Sequence, residues 1–371
     1  MNFEHWKRIV IKVGSALIAP TNTGCSSEYL LSIANFIKQC RSSGIQVVLV
    51  SSGSIAAGAH LFSPNKDSKN TDNIIIKKAM AAAGQAEMMA TWDTLFDFPT
   101  AQVLLTHADL RKRDRYESIR DTIDTLLEHD ILPIVNENDA VTTDKLKVGD
   151  NDNLSAMVAT AAHADTLVIC SDIEGLFTKN PHLHQDAKLV SDVYQIDEDI
   201  YAMAGGATSS VGTGGMKTKI EAAEKAISHG IDTYIVNGFK KQTFQAMLAG
   251  DNPGTHFFSD KNPMHDGVHW MRHTTRALGE LIVGDQYKIG HNEASDLLVA
   301  DDLLSVNGDF SSGDVVLLRK HNGDKLAKVK TNYSSCLLNF VADSTNQDFS
   351  EELDKTQDPI ISKQYIALME S

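Results

Sequence analysis

The chain has no cysteine pairing: Cys25, Cys40, Cys170 and Cys336 stand apart with no CxxC unit, so neither a disulfide framework nor a zinc site is indicated. Long apolar runs are missing too. No stretch is long enough to span a bilayer, and the start, Met1 to Arg8, lacks the apolar segment of a signal peptide, so the expected compartment is the cytoplasm. Positive charge is also scarce. With 34 Lys and Arg against 49 Asp and Glu, the net charge of -15 at pH 7 argues against broad electrostatic attachment to nucleic acid or an anionic membrane. A local cluster of lysines and backbone amides can still oppose that field for a small anion. The one histidine pair at suggestive spacing, His182 and His184, lies in a loop context after Asn180-Pro181 without a partner cluster, so no metal is expected there.

At 371 residues the chain exceeds one comfortable hydrophobic core, which favours two domains. Strand-like and helical patterns alternate through the first two thirds. Strands are expected at Arg8 to Val13, Gln46 to Val50, Gln102 to Leu105, Ile131 to Val135, Thr166 to Cys170 and Asp232 to Val236, with helical periodicity between them. The run Ile9-Val10-Ile11 indicates a strand buried on both faces, as in a parallel sheet covered by helices. The first long helix is expected to begin at a Ser26 or Ser27 cap and to close at Gly44. This alternation predicts an α/β fold with a mainly parallel sheet over 1–258. A linker is expected over 259–275, around Asp260-Lys261-Asn262-Pro263, and a small β-rich domain over 276–371, with turn signals at Asn307-Gly308 and Asn322-Gly323.

Polar and glycine-rich loops follow successive strands, where open α/β sheets bind ligands. Lys12 sits near the end of the first strand, where burial of its charge is costly unless function or snorkelling explains it. After the second strand comes Ser51 to Gly58; Gly53 and Gly58 have Walker A spacing, but Ala59-His60 stands where Lys-Ser/Thr is required. After the fourth strand come Asn136 to Asp139 and then Lys147 to Ser155, dense in carboxylates and amides suited to an ammonium or a carboxylate ligand. Asp152 is placed to hold lysines, although Asp150 to Asn153 also suits a helix cap. EF-hand spacing is absent from these acidic residues. Finally, Val211 to Lys219 runs glycine-rich into a helix, with Lys217 and Lys219 in a first turn whose dipole disfavours cations. A phosphate site and a plain glycine loop with surface lysines share that local pattern.

Five ordered motifs together go further. Ile11-Lys12-Val13-Gly14-Ser15, Ser51 to Gly58, Val135 to Val141, Lys147 to Ser155 and Gly212 to Lys219 resemble those of the bacterial glutamate 5-kinase family, in which an amino-acid kinase domain precedes a PUA domain. The resemblance implies a three-layer αβα sandwich with a mainly parallel sheet plus a small PUA-like β-rich domain. It further implies ATP-dependent phosphorylation of the L-glutamate side-chain carboxylate, the first step of proline synthesis, with Mg2+ carried by ATP and no metal held by protein side chains alone.

Carried over by position, Lys12 and Lys219 become the nucleotide-phosphate lysines and Asp152 their organiser. Ser52, Asp139 and Asn151 match glutamate-contacting positions, and Lys147 and Asp150 lie in the same loop. Ser171 and Asp172, with Thr213, Gly214, Gly215, Met216, Lys217, Thr218 and Lys219, match nucleotide contacts. Ser171 stands where the family commonly has Thr; both keep a hydroxyl. The resemblance also implies feedback inhibition by proline and a homo-oligomer, a tetramer or a dimer. The C-terminal part matches less closely: Val306 to Asp314 resembles the PUA segment, while His291 to Asp302 departs from it. The acidic residues there and the lack of a basic stripe argue against RNA binding.

Overall fold

The structure is a computed structural model that describes residues 6–369 except 22, 63–73, 143–150, 205–214, 262, 290–297, 300–301 and 343–358. The chain divides into two compact units, 1–263 and 264–371.

The first unit is built on eight strands: β1 (Arg8–Val13), β2 (Gln46–Ser51), β3 (Thr100–Leu105), β4 (Leu132–Glu137), β5 (Thr166–Ser171), β6 (Asp192–Val193), β7 (Asp232–Asn237) and β8 (Thr255–Phe257). Their spatial order is β3-β4-β2-β1-β5-β7-β8-β6, and all pairings are parallel except β7 with β8. The helices α1 (Ser15–Ile18), α2 (Leu30–Ser42), α3 (Ser54–Gly58), α4 (Ile74–Thr94), α5 (His107–Arg111), α6 (Arg113–Glu128), α7 (Asn151–Ala161), α8 (Glu198–Ala204), α9 (Met216–Ile227) and α10 (Lys241–Ala249) complete the unit. β1 lies between β2 and β5 and is buried along almost its whole length, as its unbroken apolar run implies.

The two-residue period of β1 sorts its side chains. Ile9, Ile11 and Val13 join a core cluster with Leu30, Ile33, Phe36 and Ile37 of α2, Met88 and Trp92 of α4, and Phe244 and Met247 of α10. Val10 and Lys12 fall on the opposite face, where α7 packs against β1 and α9. α7 is buried on every side, which its run of Ala, Leu, Met and Val permits. Helices therefore cover both faces of the sheet, giving the expected three layers.

Local chemistry differs from expectation at one helix start. α2 begins at Leu30 with Tyr29 as its cap residue and no side-chain cap, while the Ser26 hydroxyl accepts from the Glu28 amide one turn earlier. Gly44, at φ +82°, follows the helix as expected. The strand-to-helix turn after β2 depends on glycine: Gly53 has φ +108°, and a Cβ there would lie 2.8 Å from Cβ of Ile18. α3 then lies so close to α4 that a Cβ on Gly58 would meet the Met80 carbonyl oxygen at 2.0 Å.

The second unit has strands β9 (Gly279–Val283), β10 (Leu303–Gly308), β11 (Val315–Lys320), β12 (Lys325–Thr331) and β13 (Ile361–Leu368) in the order β10-β9-β11-β12-β13, with α12 (Ser335–Ala342) packed against β10. Asn322-Gly323 makes the expected turn of the β11-β12 hairpin, with Gly323 at φ +104°. Asn307-Gly308 instead lies in β10, where Gly308 pairs with Gly279 of β9. The segment read as a linker contains the short helix α11 (Asp266–His269) and a π-helical turn (Trp270–Thr274), both against β13. Apolar residues explain this: Met271 packs with Val315 and Ala367.

Candidate active site

Lys12, Asp152 and Lys219 meet at the carboxyl end of β1. The Lys12 ammonium lies 2.6 Å from Oδ1 of Asp152, and that of Lys219 lies 3.0 Å from Oδ2. The Thr218 hydroxyl donates to Oδ2 at 2.8 Å, so α7 and α9 are tied together through a single carboxylate. The Asp152 side chain is fully buried and both lysines nearly so. Burial opposes ionisation of Asp152, but Lys12 and Lys219 outweigh it and hold the carboxyl well below its ordinary range. Burial also lowers the Lys12 pKa, helped by Lys219 and opposed by Asp152. Two cations sharing one anion leave a net positive charge in a dry place, which suits a ligand bearing several negative charges.

α9 adds amides to this charge. It starts at Met216 after Gly215 without a side-chain cap, so the donors of its first turn are not taken by a capping side chain. Met216 is buried and Lys217 is exposed, so the two lysines that broke the dipole rule part company. Ser171 ends β5 and Asp172 follows it; the Ser171 hydroxyl lies 3.1 Å from an Asp172 carboxylate oxygen and the Asn237 amide reaches the Asp172 carbonyl at 3.4 Å. Thr213 and Gly214, with Lys147 and Asp150, lie outside the described residues.

A neutral constellation occupies the next strand ends. Asn151, first residue of α7, uses Nδ2 to donate to the Ser52 hydroxyl at 2.7 Å and to Oδ1 of Asn136 at 3.1 Å. Asn136 donates to Oε1 of Gln85 at 2.8 Å, and Gln85 donates to Oε1 of Gln102 at 3.0 Å. Beside it, Ser54 donates to Asp139 at 3.1 Å. Burial pushes the Asp139 carboxyl up to about 6; the Ser54 hydrogen bond opposes this and the nearby Glu137 adds to it. Glu137 in turn lies 2.8 Å from Nδ1 of His107, the first residue of α5, which is held by the Thr106-Asp109 capping box.

Sequence patterning missed three of these participants. Gln85 reads as part of a packed Ala-rich helix, and the usable signal was that a buried amide needs partners. Ser54 and His107 carry no local signal, because their partners Asp139 and Glu137 lie 85 and 30 residues away in the chain.

Comparison with known proteins places the chain in a family. The sequence model of the amino acid kinase family matches residues 7–237, and the chain belongs to that family. It is 59% identical over 370 residues to glutamate 5-kinase 1 of Pseudoalteromonas translucida, with all of both chains covered. Identity to the glutamate 5-kinase of Idiomarina loihiensis is 54%, covering 95% of this chain and 94% of that one. The glutamate 5-kinase of Salinibacter ruber is 45% identical over 94% of each. Within the amino acid kinases, the chain belongs with the glutamate 5-kinases. No described helix is long and apolar enough to cross a membrane.

Proposed function

We propose that the first unit transfers the terminal phosphoryl group of ATP to the side-chain carboxylate of L-glutamate, giving L-glutamyl 5-phosphate, the first step of proline biosynthesis. The observation that carries this reading is the Asp152 carboxylate clasped by Lys12 and Lys219. A glutamate carboxylate is already ionised at neutral pH, so the reaction needs no general base. Its obstacle is repulsion between an anionic nucleophile and an anionic phosphate chain. Lys12 and Lys219 oppose that repulsion from fixed positions, with Asp152 setting their spacing, and α9 offers its first-turn amides to the phosphates.

Both oxygens of Asp152 are engaged by the lysines and Thr218, so this carboxylate is not a free metal ligand. Mg2+ would be carried by ATP, as the family resemblance implies, and would offset charge on the nucleotide.

The acceptor's amino-acid end is assigned to Asp139, Ser52 and Asn151. Asp139 suits the ammonium group, and the Ser52 and Asn151 side chains suit the α-carboxylate attached to the same carbon. Ser54 supports that adjacency, since it bonds Asp139 and lies two residues from Ser52. The side-chain carboxylate is then directed towards the lysines. Ser171, Asp172 and residues 213–219 are assigned to the nucleotide, with Lys147 and Asp150 completing the acceptor loop. The same reading carries cytoplasmic action, a homo-oligomer, inhibition by proline and a non-catalytic role for the second unit.

Incubation with ATP, Mg2+, L-glutamate and hydroxylamine tests the assignment. The expected product is glutamyl hydroxamate, formed only with both substrates present. Faster ADP release with N-acetylglutamate or aspartate than with glutamate would overturn the choice of acceptor.

A further inference from the structure

We propose that Gln85, on α4, is a positioning residue for the acceptor: it sets the polarity of the amide relay so that the Ser52 hydroxyl must present its proton to the substrate. The inference rests on glutamate as acceptor and goes beyond it to a residue behind the binding groups.

The relay has one direction from end to end. Gln102 accepts from Gln85, Gln85 accepts from Asn136, and Asn136 accepts from Asn151. Asn151 spends the second proton of the same Nδ2 on the Ser52 hydroxyl oxygen. A hydroxyl that accepts through its oxygen keeps its own proton for another acceptor. No acceptor for that proton lies among the described residues, and Ser52 is only 4% exposed. A carboxylate oxygen of the substrate meets this need. Asn151 similarly keeps Oδ1, an acceptor, and Asn136 keeps one amide proton.

Reversing the relay would invert these offers. If Asn136 turned its amide, Asn151 would have to turn too, and Ser52 would donate backwards to Asn151 and face the substrate carboxylate with lone pairs. Asn136, Asn151 and Ser52 cannot prevent this among themselves, because each amide is competent in either orientation. Gln85 adds a buried partner in the observed sense, accepting from Asn136 while it donates to Gln102. Gln85 is 8% exposed and anchored at its far side by Gln102, whose position on β3 is exposed. Water can replace Gln102 as the acceptor of the Gln85 amide, so its loss matters less than loss of Gln85.

The test is steady-state kinetics on the full chain with Gln85→Met and Gln85→Glu. Met matches the length of Gln but offers Asn136 no strong acceptor, so the glutamate KM is expected to rise about 10-fold or more, the cost of a misdirected hydrogen bond to a charged group. The ATP KM and kcat should stay within about twofold of wild type, because the lysine cluster is untouched. Glu keeps an acceptor oxygen for Asn136, so Gln85→Glu is expected to recover a glutamate KM within about threefold of wild type. An unchanged glutamate KM in Gln85→Met overturns the proposal, as does equal damage to glutamate and ATP KM in both variants. If Gln85→Met fails to fold, Gln85→Glu decides alone: a retained glutamate KM supports the relay and a raised one overturns it. Failure of wild type to release ADP in response to glutamate is a separate result, which removes the kinase reading itself.

Discussion

The two halves of the candidate site use opposite electrostatics. On the nucleotide side, three formal charges are packed into a dry space, with Asp152 between Lys12 and Lys219. On the acceptor side, the buried framework is neutral: Ser52, Asn151, Asn136 and Gln85 hold one another by dipoles, and the half-buried Asp139 carboxylate has its charge disfavoured by burial. The difference follows from the ligands each half is assigned. Phosphates need charge to offset charge, whereas an amino acid with two carboxylates and an ammonium needs donors and acceptors in the right places.

The largest effect is expected from breaking the charged half at its centre. Asp152→Asn leaves two buried lysines without their anion, and chemical denaturation should register a loss of about 3–5 kcal/mol. A change below about 1 kcal/mol would mean that the lysines do not depend on this carboxylate. Lys12→Ala or Lys219→Ala removes a donor to the reacting phosphate, so kcat should fall on the order of 100-fold or more. Full activity in either folded variant would sink the assignment.

The acceptor half should respond through binding. Asp139→Ala is expected to raise the glutamate KM about 10-fold or more with a smaller change in kcat, reflecting the loss of a charged partner for the ammonium. Its pH dependence follows from a carboxyl at about 6. The ionised form binds the ammonium, so kcat/KM for glutamate should rise with pH and level off above about 6, and Asp139→Asn should remove that limb. Stability runs the other way: between the ordinary carboxyl value near 4 and about 6, the folded chain retains a proton that the unfolded chain has lost, so this group's contribution falls as pH rises. The facing groups are Ser54, which opposes the upward shift, and Glu137, which adds to it and is itself held by His107. A profile that stays flat down to pH 5 in wild type would exclude Asp139 from ammonium recognition. The smallest effect is expected from Gln102→Ala at the relay's exposed end, with the glutamate KM within about twofold and stability within about 0.5 kcal/mol.

The charged half was the more legible in sequence. Lys12 in a buried strand and Lys219 in a helix's first turn each break a local rule, and such violations show in a one-dimensional pattern. The parallel sheet was legible too, since Ile9-Val10-Ile11 of β1 reads as a continuous apolar run. The neutral half was harder to see. Ser52, Asn151 and Asp139 were found through motif resemblance, but Gln85 breaks no helical rule, and its bond to Asn136 joins positions 51 residues apart. Hydrogen bonding between distant elements leaves no period in the sequence. The linker expected over 259–275 misled for another reason: Pro263 does sit at the boundary of the units, but the residues beyond it begin the second unit with a helix.

The division of labour between the halves is tested most directly by measuring kcat and both KM values for Lys219→Ala and Ser52→Ala side by side. The account predicts that Lys219→Ala loses kcat, while Ser52→Ala raises the glutamate KM and leaves the ATP KM near wild type. The same pattern of loss in both variants, or an altered ATP KM with an unchanged glutamate KM in Ser52→Ala, would contradict it.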